Sequence, residues 1–391
     1  MKMKRIYIFL AIFLMIPLAG CEHSKQQPGN HQITAQISKI DSGETDGNSD
    51  VPYKELFKET QIKTIIAQLP DGRPWYELAI SDKGEIFGFA PSNNGKPGEL
   101  IACDLYTGKT QSLYTAKDNY NIIFFKFNDN YLAWTEDTNF VAGSPRVLVY
   151  DRRNKKTMVV SEKIGLLSGI SYEMIALGND YLLWSTSERD NNKPKYRIMR
   201  YDFVSQKATL FRENAAEPII GKDFIAWLEP DEQMKYSEII FNDLKDHSIH
   251  KIITPGQHPG YIDTDGTSIV FTGFSTTDPG LKLLSIYESE KTPKIKIIDR
   301  SRWGYYDFPQ ISPDFVGWRG GSKVRVYSRK DAKTVIFAEE YGDCTEVKLC
   351  NKFLMWHSPA IKDANEAKLK AMEQKVYLSD LHIFSKEGMS K

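Results

Sequence analysis

Seven copies of one short pattern recur along the chain, and they constrain the fold more than any other feature. Each copy follows turn residues and is a mostly apolar segment that ends in an aromatic residue, at positions 89, 134, 184, 227, 271, 318 and 356. Successive aromatics are 38 to 50 residues apart, a period typical of folds that repeat a small sheet. The copies are Ile86–Phe89, Tyr131–Trp134, Tyr181–Trp184, Phe224–Trp227, Ser268–Phe271, Phe315–Trp318 and Phe353–Trp356.

Each copy has neighbouring segments that also read as strands. Arg146–Tyr150 and Lys323–Tyr327 alternate polar and apolar residues after a copy, which indicates strands with one buried face. A third strand such as Thr157–Val160 follows, and one such as Ile122–Phe127 precedes a copy. Four-stranded antiparallel sheets repeated radially are the blades of a β-propeller. The sequence therefore predicts an all-β, seven-bladed β-propeller, with six or eight blades as alternatives.

The two ends of the predicted propeller domain, residues 53–391, complement each other. The seventh repeat lacks an evident fourth strand, whereas Gln61–Ile66 precedes the first repeat as an extra strand. We expect Gln61–Ile66 to complete the seventh blade, because this pairing removes two open sheet edges. A C-terminal fourth strand around Leu381–Ser385 is the alternative. The seventh repeat also contains an insertion rich in helix formers, Pro359–Gln374, which predicts a short helix.

The N-terminus has the features of an export signal. Basic residues precede the apolar run Ile6–Leu18, which is shorter than the roughly 20 residues that span a bilayer. The segment Leu18–Cys21 resembles the lipobox of bacterial lipoproteins. This resemblance implies a signal peptide over residues 1–20, lipidation of Cys21, and anchoring to the extracytoplasmic side of a bacterial membrane. An ordinary signal peptide that contains a cysteine and an uncleaved anchor helix are the alternatives.

The segment after Cys21 has the composition of a tether. Residues 22–50 are mainly Ser, Gln, Asn, Gly, Asp and His, with few large apolar side chains. Such a segment buries too little apolar surface to offset the entropy lost on folding. We therefore predict that residues 21–52 are a lipidated cysteine and a flexible linker.

One repeat resembles a known family. The segment Pro309–Trp318, with sequence PQISPDFVGW, is similar to the box of TolB-like propellers, which commonly reads P-x-W-S-P-D-G before a strand. Leu78–Gly84 and Asp263–Phe271 are weaker versions, and the signature of WD repeats is absent. Over roughly residues 60–380 the resemblance concerns the arrangement of the repeats. It implies a propeller scaffold for protein or ligand binding, and it transfers no catalytic residue.

Charge and cysteine content narrow the classes of partner. The chain has 51 basic and 51 acidic residues, so it lacks the strongly basic character of nucleic-acid-binding domains, and we expect a monomer that does not bind nucleic acid. Cys103, Cys344 and Cys350 are predicted to be free thiols. Cys344 and Cys350 are six residues apart in a predicted strand, and about 20 Å in extended chain is too far for a disulfide.

Loops on one face of the propeller form the candidate ligand site. In a propeller, the loops after the anchor aromatics and the segments between blades open on the same face. Carboxylates, cations and aromatics that converge there would form a polar binding mouth; the alternative is a solvated rim of ordinary loop composition. The candidate mouth residues are Trp303, Tyr305, Tyr306, Asp307, Glu136, Glu188, Glu229, Arg319, His357 and Trp75.

The motifs of common enzymes are absent from the sequence. It contains no Gly-x-Ser-x-Gly elbow, His-Glu-x-x-His helix or phosphate-binding glycine loop, so we assign no catalytic residue, metal or cofactor. The sequence predicts a membrane-anchored extracytoplasmic propeller that binds a protein or a cell-envelope polymer. The alternatives are a polysaccharide-active hydrolase or lyase with its site at the channel mouth, and a non-catalytic scaffold of an envelope complex.

Overall fold

Seven antiparallel sheets make up the body of the protein. The computed structural model describes residues 31–33, 36–37, 51–93, 95–117, 121–137, 146–162, 175–190, 193–230, 237–289, 293–302, 306–320, 323–338, 347–359 and 374–381. The predicted signal peptide, Cys21 and most of the predicted helical insertion lie outside these residues.

The strands of the N-terminal segment and of the first three blades come first in the chain. The N-terminal segment contains β1 (His31–Ile33), β2 (Gln36–Ile37), a 3-10 turn at Tyr53–Glu55, and β3 (Ile62–Ile66). Blade 1 contains β4 (Tyr76–Ile80), β5 (Glu85–Ala90), β6 (Glu99–Asp104) and β7 (Thr110–Thr115). Blade 2 contains β8 (Asn121–Phe127), β9 (Tyr131–Asp137), β10 (Arg146–Asp151) and β11 (Lys156–Ser161). Blade 3 contains β12 (Ile175–Leu177), β13 (Tyr181–Asp190), β14 (Lys193–Asp202) and β15 (Lys207–Glu213).

The remaining four blades follow in the same order. Blade 4 contains β16 (Ala216–Ile220), β17 (Phe224–Pro230), β18 (Ser237–Asp243) and β19 (Ile249–Ile252). Blade 5 contains β20 (Gln257–Thr264), β21 (Ser268–Ser275), β22 (Lys282–Glu288) and β23 (Lys294–Ser301). Blade 6 contains β24 (Tyr306–Ile311), β25 (Phe315–Gly320), β26 (Lys323–Ser328) and β27 (Lys333–Ala338). Blade 7 contains β28 (Val347–Leu349), β29 (Phe353–Pro359) and β30 (Gln374–Asp380).

The sheets form a closed ring around a central channel. The first strand of each blade contacts the first strand of the next, and β28 of blade 7 contacts β4 of blade 1. Since every blade contributes its first strand to this inner circle, the prediction of a seven-bladed propeller of four-stranded blades is confirmed.

The hydrophobic core is divided into seven parts, one at each seam between neighbouring blades. All seven anchor aromatics lie on the second strand of a blade and are at most 6% exposed. Trp227, for example, packs in the seam between blades 3 and 4 with Leu183 and Ile198. Truncating a buried Trp to Ala typically costs about 3–5 kcal/mol, so the repeated aromatic stabilises each seam.

Blade 7 is completed by the N-terminal strand, as the sequence predicted. Strand β3 pairs antiparallel with β30, from Ile62 opposite Ser379 to Ile66 opposite Lys375. The alternative partner near the C-terminus begins at Leu381, which is a buried turn residue, and residues 382–391 lie outside the described part of the chain.

The residues before β3 run along the outer strands of blades 4, 5 and 6. Strand β1 pairs in parallel with β19 of blade 4, and β2 pairs in parallel with β23 of blade 5. At blade 6, Pro52 bridges to Ile336, whose N–H donates to the Val51 carbonyl at 2.9 Å. We call the described residues between 31 and 66 the N-terminal strap. Part of the segment predicted as a flexible linker is therefore paired with the blades.

Aspartates fix the turns between the third and fourth strands. Asp104 Oδ1 accepts the backbone N–H groups of Tyr106 and Thr107, and Asp202 Oδ1 accepts those of Val204 and Ser205. The backbone donors at Thr107 and Ser205 are the main reason that the pKa of each carboxyl lies below its usual value. These turns and those between the first and second strands lie on one face of the ring, the turn face. The opposite face is the mouth face.

The described cysteines are not paired with each other. Cys103 is buried and Cys350 is half-buried, and burial raises the pKa of both thiols, that of Cys350 to about 12. Cys344 lies outside the described residues.

Candidate functional site: the mouth and the channel

The predicted mouth residues do not form one exposed surface. Trp75, Glu136 and His357 are 1%, 0% and 3% exposed, so their side chains lie inside the protein. They belong to seams between blades, where neighbouring sheets cover both faces of a strand.

Glu136 lies in the seam between blades 1 and 2. Its carboxylate accepts hydrogen bonds from the Tyr114 hydroxyl at 3.1 and 3.2 Å and from Arg146 Nε at 3.2 Å. Burial, followed by the charge of Glu136, raises the pKa of Tyr114 to about 12. Glu136 and Arg146 both belong to blade 2, whereas Tyr114 belongs to blade 1, so the hydrogen bond from Tyr114 joins the two blades.

Glu229 has the same role between blades 3 and 4. Its Oε1 accepts from Arg212 Nη2 at 2.9 Å and from the Trp227 indole N–H at 3.0 Å. Arg212 lies on the outer strand of blade 3, and its guanidinium also stacks on the Trp227 ring. The anchor aromatic and the carboxylate two residues later therefore point into the same seam.

The seam between blades 5 and 6 holds Tyr306 beside a buried acid. Burial raises the pKa of the Asp299 carboxyl, while the charge of Arg325 and hydrogen bonds that include Tyr306 and Trp318 oppose this shift. Burial and the Asp299 charge raise the pKa of Tyr306 above its usual value. Arg325 also donates to the Gly320 carbonyl at 2.8 Å.

Trp75 and His357 lie where blade 7 meets blade 1. His357 Nδ1 is 3.5 Å from Glu77 Oε2, and the His357 ring packs against Tyr76 with centroids 5.6 Å apart. The Trp75 ring fills the space above Gly88, where an added Cβ would come within 2.6 Å of it. Glycine at this position is therefore required by the close approach of the indole.

The other predicted mouth residues occupy the ends of strands or lie outside the described part. Arg319 is half-buried and pairs across the sheet with Asp307, which like Glu188 is described by its backbone alone. Trp303 and Tyr305 lie outside the described residues. The predicted mouth thus divides, in the described part of the chain, into seam residues and residues at strand ends.

The channel itself contains a cavity of about 650 Å³. Its lining comes from the first strands of blades 1, 2, 5, 6 and 7. We call this space the channel cavity; its polar and aromatic lining includes Glu77, Phe124, Lys126, Asp263, Phe308, Gln310 and Lys348. Lys126 Nζ and Asp263 Oδ1 are 3.3 Å apart, and this ion pair links blades 2 and 5 across the channel.

Bulges in the first strands place two aromatic rings in the cavity. Phe124 and Phe308 have φ angles of 47° and 44°, in the left-handed region that costs a non-glycine residue about 1–3 kcal/mol. Each lies where the register shifts opposite an anchor, Trp134 or Trp318. Glu217 has the same conformation at the corresponding position of blade 4, with φ 49°. The repeat of this strained position shows that it belongs to the blade design.

A sequence signal for the channel cavity exists, although it is weak. Lys126, Asp263, Gln310 and Lys348 are each the next-to-last residue of the first strand of a blade. In an ordinary sheet such a residue faces solvent, so it attracts attention only once these strands are known to be the inner ones.

The described residues contain neither a cluster that could hold a metal ion nor a helix that could span a membrane. In the described ranges, no group of three or more His, Cys, Asp or Glu side chains is arranged to hold a metal ion. No helix in that part of the chain is long and apolar enough to span a bilayer.

Comparisons with known proteins agree on the fold. No family model matches the chain, and no curated protein is similar to it in sequence. Three solved structures are similar. Oligogalacturonate lyase in complex with manganese has 12% identity and a TM-score of 0.53, over 82% of this chain and 96% of that chain. The β-propeller domain of the Trilobed protease from Pyrococcus furiosus has 11% identity and a TM-score of 0.53, over 78% and 95%. TolB from Acinetobacter baumannii has 15% identity and a TM-score of 0.46, over 69% and 66%.

This chain is a β-propeller. At these identities the similarity concerns the fold alone, and the two structures with TM-scores of 0.53 confirm the predicted β-propeller. The Pyrococcus furiosus domain is described as having an open velcro topology, whereas β3 completes blade 7 in this chain.

Proposed function

We propose that the protein is a lipid-anchored, extracytoplasmic binding module that captures a protein or a cell-envelope polymer through its channel cavity. The observation that supports this most is the contrast in the carboxylates. Glu136 and Glu229 are held by arginines in the seams, whereas Asp263 lines a cavity together with Lys126, Lys348 and Gln310.

The size of the cavity limits what can enter it. Ligand pockets usually measure about 300–1,000 Å³, and the channel cavity of about 650 Å³ lies within that range. A protein or polymer is much larger. We therefore expect one end or one side group to enter the channel while the rest of the ligand stays outside it.

The lining of the cavity indicates the chemistry of that group. Lys126 and Lys348 match an anionic group, and Asp263 matches hydroxyl or amide donors. The Gln310 Oε1 accepts from the Leu349 N–H at 2.8 Å, so its NH2 group is left to donate to an acceptor. The rings of Phe124 and Phe308 offer apolar faces on which a sugar ring or an apolar side chain can pack. An acidic, hydroxyl-rich envelope polymer or an acidic peptide segment fits this combination.

An enzyme of polysaccharide breakdown is the second candidate. Oligogalacturonate lyase is similar in fold over 82% of this chain, and Lys126 and Lys348 would complement the carboxylates of a uronic-acid polymer. A non-catalytic scaffold in an envelope complex is the third candidate, and it requires no ligand in the channel.

The experiment uses the mature chain with Cys21→Ser, immobilised and exposed to envelope extract and to a panel of polysaccharides. A binding module retains a component without releasing product. The double variant Lys126→Met/Lys348→Met should weaken retention about tenfold or more, equivalent to 1.4 kcal/mol.

Lys109→Met is the matched control, because Lys109 is an exposed lysine in a turn of blade 1. Retention should be unchanged by this substitution. Shortened polysaccharide products would favour the enzyme. If a protein is retained equally well by the natural chain and by the Lys126→Met/Lys348→Met variant, the scaffold would be favoured.

A further inference from the structure

The N-terminal strap determines where the anchored end of the chain leaves the body. Strand β1 runs parallel to β19, with His31 beside His250 and Ile33 beside Ile252. Since β19 begins just after the turn at Asp246 and His247, the chain reaches blade 4 from the turn face. His31, the first described residue after Cys21, therefore lies at the outer, turn-face corner of blade 4.

The chain between this corner and the anchor is short. Nine residues, 22–30, lie between Cys21 and His31, so the two residues are about 35 Å apart at most when the chain is fully extended. A globular body of roughly 340 residues is about 50 Å across. The anchor therefore lies within about 35 Å of this corner, and the turn-face side around blades 3 to 5 is the surface nearest to it.

The side chains near that corner suit a membrane surface. Val204, in the turn before the outer strand of blade 3, is 88% exposed, and Leu210 on that strand is 50% exposed. Lys207 lies between them and is exposed. Lys245 lies on the neighbouring turn of blade 4, where its side chain is 70% exposed and forms an ion pair with Asp223 at 2.8 Å. Apolar side chains beside lysines are typical of surfaces that rest on anionic lipid.

We propose that this surface, formed by Val204, Lys207, Leu210 and Lys245, rests on the bilayer that holds the Cys21 lipid, and that the mouth face points away from it. The proposal depends on the lipid anchor of the proposed function. Its consequence is that the mouth-face end of the channel opens toward the envelope, whereas the turn-face end, beside Lys126, Asp263 and Lys348, lies on the membrane side. The short tether and the strap limit how far the body can turn over.

The test measures which side of the lipidated protein lies near lipid. The chain keeps Cys21, and Cys103, Cys344 and Cys350 are replaced by Ala. A fluorophore is attached at Val204→Cys or, as the control, at Lys330→Cys, an exposed position on the corresponding turn of blade 6. The protein is reconstituted on vesicles of phosphatidylcholine and phosphatidylglycerol that carry a nitroxide on the lipid headgroup.

We expect quenching at position 204 to exceed that at position 330 at least threefold. Replacing residues 31–37 by Gly and Ser of equal number removes β1 and β2 and should abolish this difference. Equal quenching at both positions, or a difference that survives loss of the two strands, would overturn the proposal. Failure of the protein to float with the vesicles would overturn the lipid anchor, and the proposal with it.

Discussion

Glu136 and Asp263 are both acidic residues near strand ends, and their surroundings differ. Glu136 is completely buried in the seam between blades 1 and 2 and is held by Tyr114 and Arg146. Asp263 lines the channel cavity, and its side chain is 13% exposed beside Lys126. The difference teaches that a carboxylate in a seam joins neighbouring blades, whereas Asp263 pairs with Lys126 inside the channel, at the wall of a cavity.

The largest expected effect concerns blade 7, which β3 of the N-terminal segment completes. Removing residues 22–68 deletes β3 and Phe57, which packs against Phe315 and Phe337. The lost strand hydrogen bonds, at about 1 kcal/mol each, and the lost aromatic, at about 3–5 kcal/mol, together approach the stability of a whole domain.

We therefore expect that chain to lose cooperative thermal unfolding as followed by circular dichroism. Removing residues 22–38 takes away only β1 and β2 and should lower the melting temperature by a few degrees. Equal melting temperatures for the two deletions would show that β3 does not hold the ring closed.

The next effect sharpens the contrast between the two acids. Glu136→Gln leaves Arg146, whose side chain is 13% exposed, without its countercharge, and breaking a buried pair in this way costs about 3–5 kcal/mol. Asp263→Asn removes a partly solvated pair and should cost about 1 kcal/mol or less. Urea unfolding of both variants measures the difference. A larger loss for Asp263→Asn would reverse the assignment of structural and ligand-facing charge.

The smallest effect concerns the turn face. The folded pKa of Asp104 lies below its usual value of 3.8, so the ionised carboxylate stabilises the fold above that pH, and this contribution is lost as pH falls from 3.8 through the folded pKa. Asp104→Asn keeps an oxygen acceptor for Tyr106 and Thr107 but does not titrate. Its melting temperature should therefore fall less than that of the natural protein between pH 5 and pH 2.5. An identical fall would mean that the turn does not contribute to acid sensitivity.

The blades could be predicted from sequence because their signals are local and repeated. The anchor aromatics mark the second strand of each blade. The seventh repeat lacks a fourth strand, and the extra strand at Gln61–Ile66 supplies it. Pairing of β1 and β2 with blades 4 and 5 could not be predicted, because backbone hydrogen bonds at a sheet edge need no particular side chain.

The mouth was harder to predict, because the direction of a side chain depends on strand register. Glu136 and Glu229 each follow an anchor Trp by two residues, and alternate residues of a strand share a face. They therefore point into the seam with that Trp. His357 is on the opposite face of its strand, but blade 1 covers that face as well. Burial of both sheet faces follows from the ring, which a single repeat does not reveal.

The central claim is that the ligand enters the channel cavity, and photo-cross-linking tests it most directly. Phe124 in the cavity and Tyr106 on the turn face, which is 66% exposed, are each replaced by p-benzoylphenylalanine. The substitutions exchange one aromatic ring for another, and the two positions lie in different parts of the molecule. With the component retained from envelope extract, the account predicts a covalent adduct at position 124 and none at position 106. An adduct at position 106 with none at position 124 would contradict it.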